Sequence, residues 1–461
     1  MPRMALLPSF NSPPYQAPAS FRLRPVKFLG SASTTGNHSP GQIDSGKLQQ
    51  LLHRDAVNYD TYVKWYASFL DQKIGSLPHR FIPLTLPRGS LSVVEHVFNC
   101  LSSIVPLIKD EPSVCLGQML EKLRDEHLVD DIADDHGIQF VFICFGLLTF
   151  LYSPKLDPAQ GKLEIEDEER IPPRHTLVIL EVEEYRNLPM TNIVRDFSCF
   201  GRRGLAPMSS VREDDRPGTY SGSLPMAGRT SLFSLNVNYY TLSKLSKIEI
   251  EWTDIASKHL ELDARYMVLY LFRHPSFCVL MCPFNSNTPP GCYIDLFFNN
   301  CLRGRDDEPN ITASDFYREI LGSYRVLFSQ DKNSWKAYQS SRRKEWSRGS
   351  GLQICPDDLL DGLCGKNWRD QPIYDLVGLE PAKSTYYHIE DEFPLLGRRL
   401  LELQEFVMSE SPVGWKGLWW DRRDTGRYWT FWGFVWISFI TLVLGLLQIA
   451  LAILQVWSGF K

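Results

Sequence analysis

The sequence has little net charge and none of the common nucleotide-binding or hydrolase motifs. Its 49 Lys and Arg residues nearly balance 54 Asp and Glu residues, which leaves a formal net charge of −5 at pH 7. No overall positive field attracts nucleic acid, so we expect no nucleic-acid partner. The motifs G-x-x-x-x-G-K-[ST], H-E-x-x-H and G-x-S-x-G do not occur. We therefore expect no cofactor, assign no catalytic residue and favour a role other than catalysis.

Cysteine is sparse, and the N-terminus lacks the apolar run of a secretory signal. The ten cysteines are scattered between Cys100 and Cys364, unlike the dense framework of a small disulfide-stabilised domain. Reduced, buried thiols in a reducing compartment are the simplest interpretation.

Two clusters resemble metal sites, and each has a simpler interpretation. Asp130, Asp131 and Asp134 spell the DDIAD with which isoprenoid synthases hold Mg²⁺. No second metal motif accompanies them, so a charged helix end is favoured. A zinc site would use His274 with four cysteines: Cys278, Cys282, Cys292 and Cys301. Their spacing fits zinc poorly and apolar residues separate the first pair, so we favour buried thiols and predict no metal.

Residues 1–43 contain no acidic residue and are rich in Ser and Pro. Such a segment buries too little apolar surface to offset its chain entropy, which predicts a disordered basic tail. The alternative is a mitochondrial transit peptide, which is also Arg-rich, Ser-rich and poor in acid. Pro13, Pro14 and Pro18 interrupt any amphipathic helix there and favour the tail.

A globular region is predicted over residues 44–411, long enough to divide into two subdomains. The pattern predicts one helix over Leu116–His136 and then a buried core helix over Phe140–Leu151, a charge-free run too short for the ~20 residues that span a bilayer. The acidic stretch Glu164–Glu169 is predicted to be a solvated loop. Residues 201–230, rich in Gly, Arg, Ser and Pro, predict a flexible insertion.

Strand patterns and further helices complete this region. His175–Val182 is a compact β-rich run, and the alternation from Ile248 to Trp252 predicts a half-buried strand with the glutamates outward. Tyr266–Phe272 predicts a central strand. One later helix is predicted to be capped by Ser314 or Asp315, and another buries Leu396, Leu400, Leu403 and Val407. We predict an α+β fold: a mixed helical and antiparallel-sheet globular region followed by one C-terminal transmembrane helix.

The membrane segment is the clearest feature of the sequence. From Tyr428 to Phe460 there are 33 residues without a charged side chain or histidine. We place the transmembrane helix at 428–457, after a juxtamembrane linker at 412–427. A helix over the densest 26 residues, 431–456, would be roughly 39 Å long, enough to cross the ~30 Å hydrocarbon core. Basic and aromatic anchors flank it: Arg422, Arg423, Arg427, Trp429, Trp432 and Trp457.

The flanking charges predict the orientation. Lys416 and three arginines precede the helix, and only Lys461 follows it. The positive side stays cytoplasmic, which predicts a single-pass, tail-anchored protein with its large N-terminal region in the cytoplasm.

One face of this helix is predicted to pack against another helix. Small and polar residues recur there at alternating spacings of three and four: Ser438, Thr441, Gly445, Gln448, Ala452, Gln455 and Gly459. This is the heptad period of a left-handed helix pair. The expected partners are therefore the lipid bilayer and a second copy or another transmembrane helix.

Four segments carry a resemblance to known sequences: LVDDIADDHGI at 128–138, the run from 248 to 282, FYREILGSYRVLFSQD at 316–331, and WWDRRDTGRYWTFW at 419–432. Together they resemble a family of uncharacterised filamentous-fungal proteins that end in one aromatic-rich transmembrane helix. The tail alone is loosely similar to CorA-like magnesium transporters. Those carry two membrane helices with a Gly-Met-Asn signature, whereas this sequence has one helix and no such signature.

The sequence thus favours a membrane-tethered interaction or scaffold protein. One alternative is an enzyme at the membrane surface whose site is unrecognised. Another is a subunit of a CorA-like ion transporter, which requires an oligomer because one helix encloses no pore.

Overall fold

The computed structural model of the chain describes most residues between Ile43 and Gly459. The described ranges are 43–52, 56–78, 81, 93–111, 113–129, 134–170, 173–197, 231–282, 292–302, 312–329, 332–347, 356–365, 373, 377–379, 384–409 and 425–459. All of them belong to one unit, Pro40–Lys461. The predicted basic tail, apart from Ile43, and the predicted insertion at 201–230 lie outside these ranges.

Helices form the N-terminal part of the described fold: Ser45–Leu51 (α1), Ala56–Gly75 (α2), Val93–Asp110 (α3), Leu116–Asp125 (α4) and Asp134–Thr149 (α5). The predicted core helix is confirmed, because α5 is buried from Gly137 to Thr149. The predicted continuous helix over 116–136 is wrong. His127 adopts a left-handed φ of 53°, and Leu128 N–H donates to Leu123 O at 2.9 Å, a pattern that ends helices.

An antiparallel hairpin follows, formed by Lys162–Arg170 (β1) and Pro173–Glu181 (β2). The strand predicted at 175–182 is confirmed, but the solvated loop predicted at 164–169 is wrong because these residues lie in β1. Taken alone, the run of acidic residues predicts a loop, because it gives no sign of the strand with which it pairs. Here β2 supplies the pairing, and buried Glu164 is neutralised by Lys155 at 2.6 Å. Two short helices, Val182–Tyr185 (α6) and Met190–Phe197 (α7), come next.

A three-stranded sheet forms the centre of the C-terminal half. Its strands are Glu249–Thr253 (β4), Glu261–Asp263 (β5) and Val268–Phe272 (β6), in the order β4-β6-β5. The central strand predicted at 266–272 is confirmed, since every residue of the apolar strand β6 is buried. The β5–β6 pair is antiparallel, whereas the β4–β6 pair is parallel.

The strand predicted around Ile248–Trp252 is confirmed as β4, with one departure from the predicted alternation. Ile248 is buried and Glu249 is exposed, as the alternation predicts, but Glu251 is buried while Ile250 and Trp252 are only half-buried. Both faces of β4 are covered, and Trp252 stacks on Phe328 with ring centroids 6.0 Å apart.

A small sheet joins distant parts of the chain. Ser231–Phe233 (β3) pairs antiparallel with Tyr386–His388 (β7), with Phe233 opposite Tyr386. Helices surround the two C-terminal sheets: Ser234–Val237 (α8), Pro275–Met281 (α9), Asp295–Leu302 (α10), Ala313–Tyr324 (α11), Lys332–Ser347 (α12), Asp358–Cys364 (α13), Ile389–Glu392 (α14) and Gly397–Ser409 (α15). Single turns of other helix types lie at Thr241–Leu245, Ala256–Lys258 and Arg325–Ser329. These helices and small sheets confirm the predicted α+β class.

Two predictions about the later helices concern the cap of α11 and the apolar face of α15. The cap of α11 is Thr312 rather than the predicted Ser314 or Asp315. Thr312 Oγ1 accepts from Asp315 N–H at 3.2 Å, and Asp315 accepts in return from Thr312 N–H at 3.1 Å. This reciprocal pair satisfies two N–H groups that the first helical turn leaves free. The predicted apolar face of α15 is confirmed, since Leu396, beside its first residue, and Leu400, Leu403 and Val407 are fully buried.

Buried tyrosines join the core helices at the C-terminal end of α5. The hydroxyl of Tyr66 donates to the carbonyl of Leu147 at 3.1 Å, and that of Tyr317 donates to the carbonyl of Thr149 at 2.9 Å. Tyr293 donates to the intervening carbonyl of Leu148. The last carbonyls of a helix have no partner within the helix, so buried hydroxyls take the place of water.

Two buried side chains, Glu319 and Arg399, fix the start of α15. The carboxylate of Glu319 accepts from the N–H groups of Leu395 at 2.9 Å and Leu396 at 2.6 Å. Arg399 Nη1 donates to the carbonyls of Ser257 at 2.8 Å and His259 at 2.5 Å. Helix α15 is thus held to α11 and to the turn before β5 by polar contacts as well as by packing.

Burial raises the pKa of Glu319 to about 8, against the backbone hydrogen bonds that lower it, from an ordinary value of 4.5. Between these two values the folded protein retains a proton that the unfolded chain has lost. The free energy of unfolding contributed by Glu319 therefore falls as pH rises through this window, by at most about 1.4 kcal/mol per pH unit. We predict that Glu319→Gln flattens the pH dependence of Tm in this window, measured on the full chain in detergent micelles.

A matched control is Glu402→Gln, because Glu402 is an exposed partner of Arg398 on α15. The control should follow the pH profile of the wild type. Parallel profiles for the wild type and Glu319→Gln would show that the Glu319 carboxyl does not titrate in this window.

Candidate functional site

The C-terminal helix α16, Thr425–Gly459, is long and apolar enough to cross a membrane. Its apolar part, Trp429–Gly459, is 31 residues long and has no buried residue in its most apolar stretch. A helix with apolar side chains on every side is stable only where lipid or protein surrounds it. Length, composition and exposure together make α16 a candidate membrane span.

The predicted packing stripe lies entirely on this helix. Its seven residues are exposed, except for half-exposed Gly445. A side chain added at Gly445 or Gly459 would meet nothing within 4 Å, so both positions leave room for another backbone to approach. Thr441 Oγ1 donates to Ile437 O at 2.9 Å and is already satisfied within the helix. The packing role of the stripe stays a prediction.

Four of the six predicted membrane anchors lie among the described residues. Trp429 and Trp457 are each 68% exposed near opposite ends of the apolar stretch, where interfacial tryptophans belong. Trp432 is half-exposed one turn further in, and Arg427 lies in the first turn of α16. The other two predicted anchors, Arg422 and Arg423, lie outside the described residues.

Sequence reasoning missed an exposed apolar surface on the globular region. Among described residues outside α16, six large apolar side chains are markedly exposed: Ile179, Leu188, Phe233, Leu235, Tyr386 and Met408. Four of these six lie on the adjacent elements β3, β7, α8 and α15. We call the group of Phe233, Leu235, Tyr386 and Met408 the apolar patch. Its members are 50%, 54%, 51% and 49% exposed, respectively.

Hydrogen bonds fix the backbone of the two strands that carry Phe233 and Tyr386 of the apolar patch. Gln404, buried on α15, accepts from Phe233 N–H at 2.7 Å and donates from its amide to Ser231 O at 3.3 Å. Ser234 N–H donates to Thr385 O at 3.1 Å. Leu232 and Tyr387 are buried beneath their exposed strand neighbours. The exposed side chains therefore stand on a backbone that is fixed on both strands.

The densest titratable cluster surrounds Asp254. Its carboxylate accepts from Arg273 Nε and, at 2.6 Å, from His274 Nε2, and Lys73 Nζ lies 3.8 Å away. Burial works to raise the pKa of Asp254, but Arg273 and His274 hold that pKa well below its usual value. Burial lowers the pKa of His274. The ring of His274 packs among aromatic rings, with the Trp65 centroid at 5.2 Å.

Among the described residues, no nucleophile is placed against this His–Asp pair. A nucleophile would have to lie within hydrogen-bonding reach of the free ring nitrogen. Because a carboxylate only accepts, His274 Nε2 carries the proton and Nδ1 is the free nitrogen. Nδ1 is buried and makes no hydrogen bond among the described residues. The nearby hydroxyl of Ser276 donates instead to Asp357 at 2.7 Å. The cluster is a half-buried ion-pair network that joins α2, β4 and the start of α9.

In the alternative Mg²⁺ site considered from the sequence, the described aspartate is engaged in ion pairs. Asp134 accepts from Arg124 at 2.8 Å and Arg186 at 2.5 Å, and these bonds lower its pKa. Asp130 and Asp131 lie outside the described residues.

The cysteines of the zinc alternative are buried in the core. Cys278, Cys282 and Cys292 are buried free thiols, and burial raises the pKa of Cys278 well above its usual value. The side chain of Cys301 is not among those described. Within the described part of the chain, no group of three or more His, Cys, Asp or Glu side chains is placed to hold a metal.

An open groove lies between α3 and α4. Its lining combines polar and apolar side chains: Asn99, Ser102, Ser103, Asp110, Glu111, Lys122 and Glu126 with Pro106, Leu107 and Leu128. Pro106 lies inside α3, and because proline has no N–H it leaves the carbonyl of Ser102 without its helical donor. The side chains of Ser103 and Lys122 lower the pKa of Glu126, and Lys122 Nζ pairs with the Glu126 carboxylate at 2.9 Å.

Comparison with known proteins adds no assignment: no family model, curated protein or solved structure matches the chain. The resemblance to fungal proteins and to the tail of CorA-like transporters therefore stays a prediction.

The ion-pair network makes a stability prediction. Asp254→Asn leaves Arg273 and Lys73 without their half-buried counter-charge, so the free energy of unfolding should fall by about 3 kcal/mol. Asp60→Asn is the control, because Asp60 pairs with Lys64 on the surface of α2 and its loss should cost less than about 1 kcal/mol. Thermal unfolding of the full chain in micelles measures both. Similar losses for the two variants would contradict a structural role for Asp254.

Proposed function

We propose that this chain is a membrane-tethered interaction or scaffold protein whose globular region faces the cytoplasm. The observation that carries the proposal is α16, a helix of membrane-spanning length that is exposed along its apolar stretch. It follows a folded region whose candidate reactive groups, Asp254 and Asp134 among them, are engaged in ion pairs. An anchor joined to such a folded region suits a protein that holds partners at a membrane.

The orientation rests on charge. Lys416, Arg422, Arg423 and Arg427 lie on the globular side of the span, and basic residues beside a membrane helix stay on the cytoplasmic side. The acidic residues Asp421 and Asp424 in the same segment have little influence on this preference.

The runner-up is an enzyme at the membrane surface. In the part of the chain that the structure describes, its candidate sites are the His274–Asp254 pair, whose ring Nδ1 makes no hydrogen bond, and the groove beside α3. A CorA-like transporter subunit would need several copies around a pore. Among the described residues, only α16 qualifies as a span.

The orientation predicts a protection pattern. In intact membrane vesicles whose cytoplasmic face is outward, added protease should digest an N-terminal tag and the globular region. A short epitope added after Lys461 should be protected until detergent opens the vesicles. The sequons at Asn37 and Asn310 should carry no glycan in a eukaryotic host. A glycosidase-sensitive mass shift at either asparagine would overturn the orientation.

A partner within the bilayer is the second part of the proposal. Gln448 and Gln455 are exposed on α16, and an amide facing hydrocarbon gains roughly 0.6–2 kcal/mol from a hydrogen bond across a helix pair. We predict that Gln448→Leu with Gln455→Leu weakens self-association in a membrane two-hybrid assay.

The matched control is Leu446→Ala with Ile453→Ala, which changes two residues with the same spacing on the opposite face of α16. It should leave the signal unchanged. Equal signals from the native helix and the double glutamine variant would show that the stripe does not drive self-association.

A further inference from the structure

We propose that the apolar patch lies against the lipid headgroup and acyl-chain boundary of the same bilayer that α16 enters. The globular region would then rest on the membrane by one defined face instead of moving freely on its tether. This inference rests on the proposed function, because it requires α16 to be in the membrane.

The first argument is the concentration of exposed apolar side chains. Phe233, Leu235, Tyr386 and Met408 are each about half exposed and occur on neighbouring elements. Single exposed apolar residues are ordinary on soluble proteins, but a contiguous group marks a contact surface. The remaining two, Ile179 and Leu188, lie elsewhere, on β2 and between α6 and α7.

The second argument is the chemistry of the side chains. The outward face of the β3–β7 pair presents the aromatic rings of Phe233 and Tyr386 directly opposite each other, with His388 beside Tyr386 at 5.5 Å between ring centroids. Tyrosine has an apolar ring and a polar tip, so it suits a boundary between hydrocarbon and water. Leu235 and Met408 add aliphatic surface that has no polar group to keep hydrated.

The third argument is the position of the patch along the chain. Met408 is the last residue but one of α15, which ends at Ser409, and α16 begins at Thr425. The 15 residues 410–424 therefore join the patch to the membrane helix, and fully extended they reach only about 50 Å. Such a tether gives the patch a high effective concentration at the bilayer, so a modest apolar surface suffices for binding.

The fourth argument is the composition of the tether. Residues 410–424 include Trp415, Trp419 and Trp420 together with Lys416 and two arginines. Tryptophan and basic residues are the groups that settle at the interface of a membrane with anionic headgroups. The composition of the tether therefore favours the same interface at which we place the patch.

Photo-crosslinking of the full chain tests this contact. The photoreactive residue p-benzoylphenylalanine would replace Phe233 or Tyr386, or Ile179 as an equally exposed control outside the patch. The protein would be reconstituted in vesicles of phosphatidylcholine and phosphatidylserine. The expected result is severalfold more lipid adduct at positions 233 and 386 than at 179, measured by mass spectrometry of the peptides.

If the patch contacts protein instead of lipid, the crosslinked product is different. A crosslinked dimer would identify a second copy, and a crosslink to residues 198–230 would identify a segment of the same chain. Either product, or equal lipid adducts at all three positions, would overturn the inference. Vesicles that contain a photoactivatable phosphatidylcholine test the unsubstituted chain in the same way, so a folding defect of one variant does not decide the outcome.

Alkaline extraction separates this inference from the proposed function. If the chain leaves the membrane at high pH, α16 does not span it and the proposed function fails. If the chain stays in the membrane while positions 233 and 386 react no more with lipid than position 179, only the docking of the patch fails.

Discussion

The buried C-terminal end of α5 is the constraint on which the arrangement of the core depends. Its last carbonyls lie where no water reaches, and each would cost about 1–3 kcal/mol if left without a donor. The hydroxyls of Tyr66, Tyr293 and Tyr317 supply those donors. They come from α2, from the segment before α10 and from α11, so three parts of the chain must meet at one helix end.

From this point, directional contacts continue towards the membrane segment. Tyr317 fixes α11, and Glu319 on the same helix accepts the N–H groups at the start of α15. Gln404 on α15 then holds β3, which carries Phe233. A hydrogen bond is directional, so it restricts the relative position of two elements more than apolar packing does. The apolar patch and the end of α15 are therefore placed by the same contacts that order the core.

The sequence predicts features whose signal is local and misses those formed by distant residues. Composition alone identifies α16, the core helix α5 and the central strand β6, because each is a continuous apolar run. The alternation places Glu251 on the exposed face of β4, but its side chain is buried, and that burial depends on neighbours that the strand itself does not contain. The sequence does not predict the apolar patch, for a related reason. β3 and β7 are three residues each, too short to show a period, and Phe233 meets Tyr386 only after the chain has folded.

The two proposed contacts, the patch with lipid and the stripe with a partner helix, lie on either side of one short tether. Because the tether already holds the patch near the bilayer, docking avoids most of the loss of free translation that limits an untethered protein. Once docked, the globular region can no longer rotate freely about the tether. A partner helix at the stripe would in turn restrict the rotation of α16 about its own axis. With both restraints the globular region would keep one fixed orientation relative to the bilayer, whereas the anchor alone would let it take many orientations.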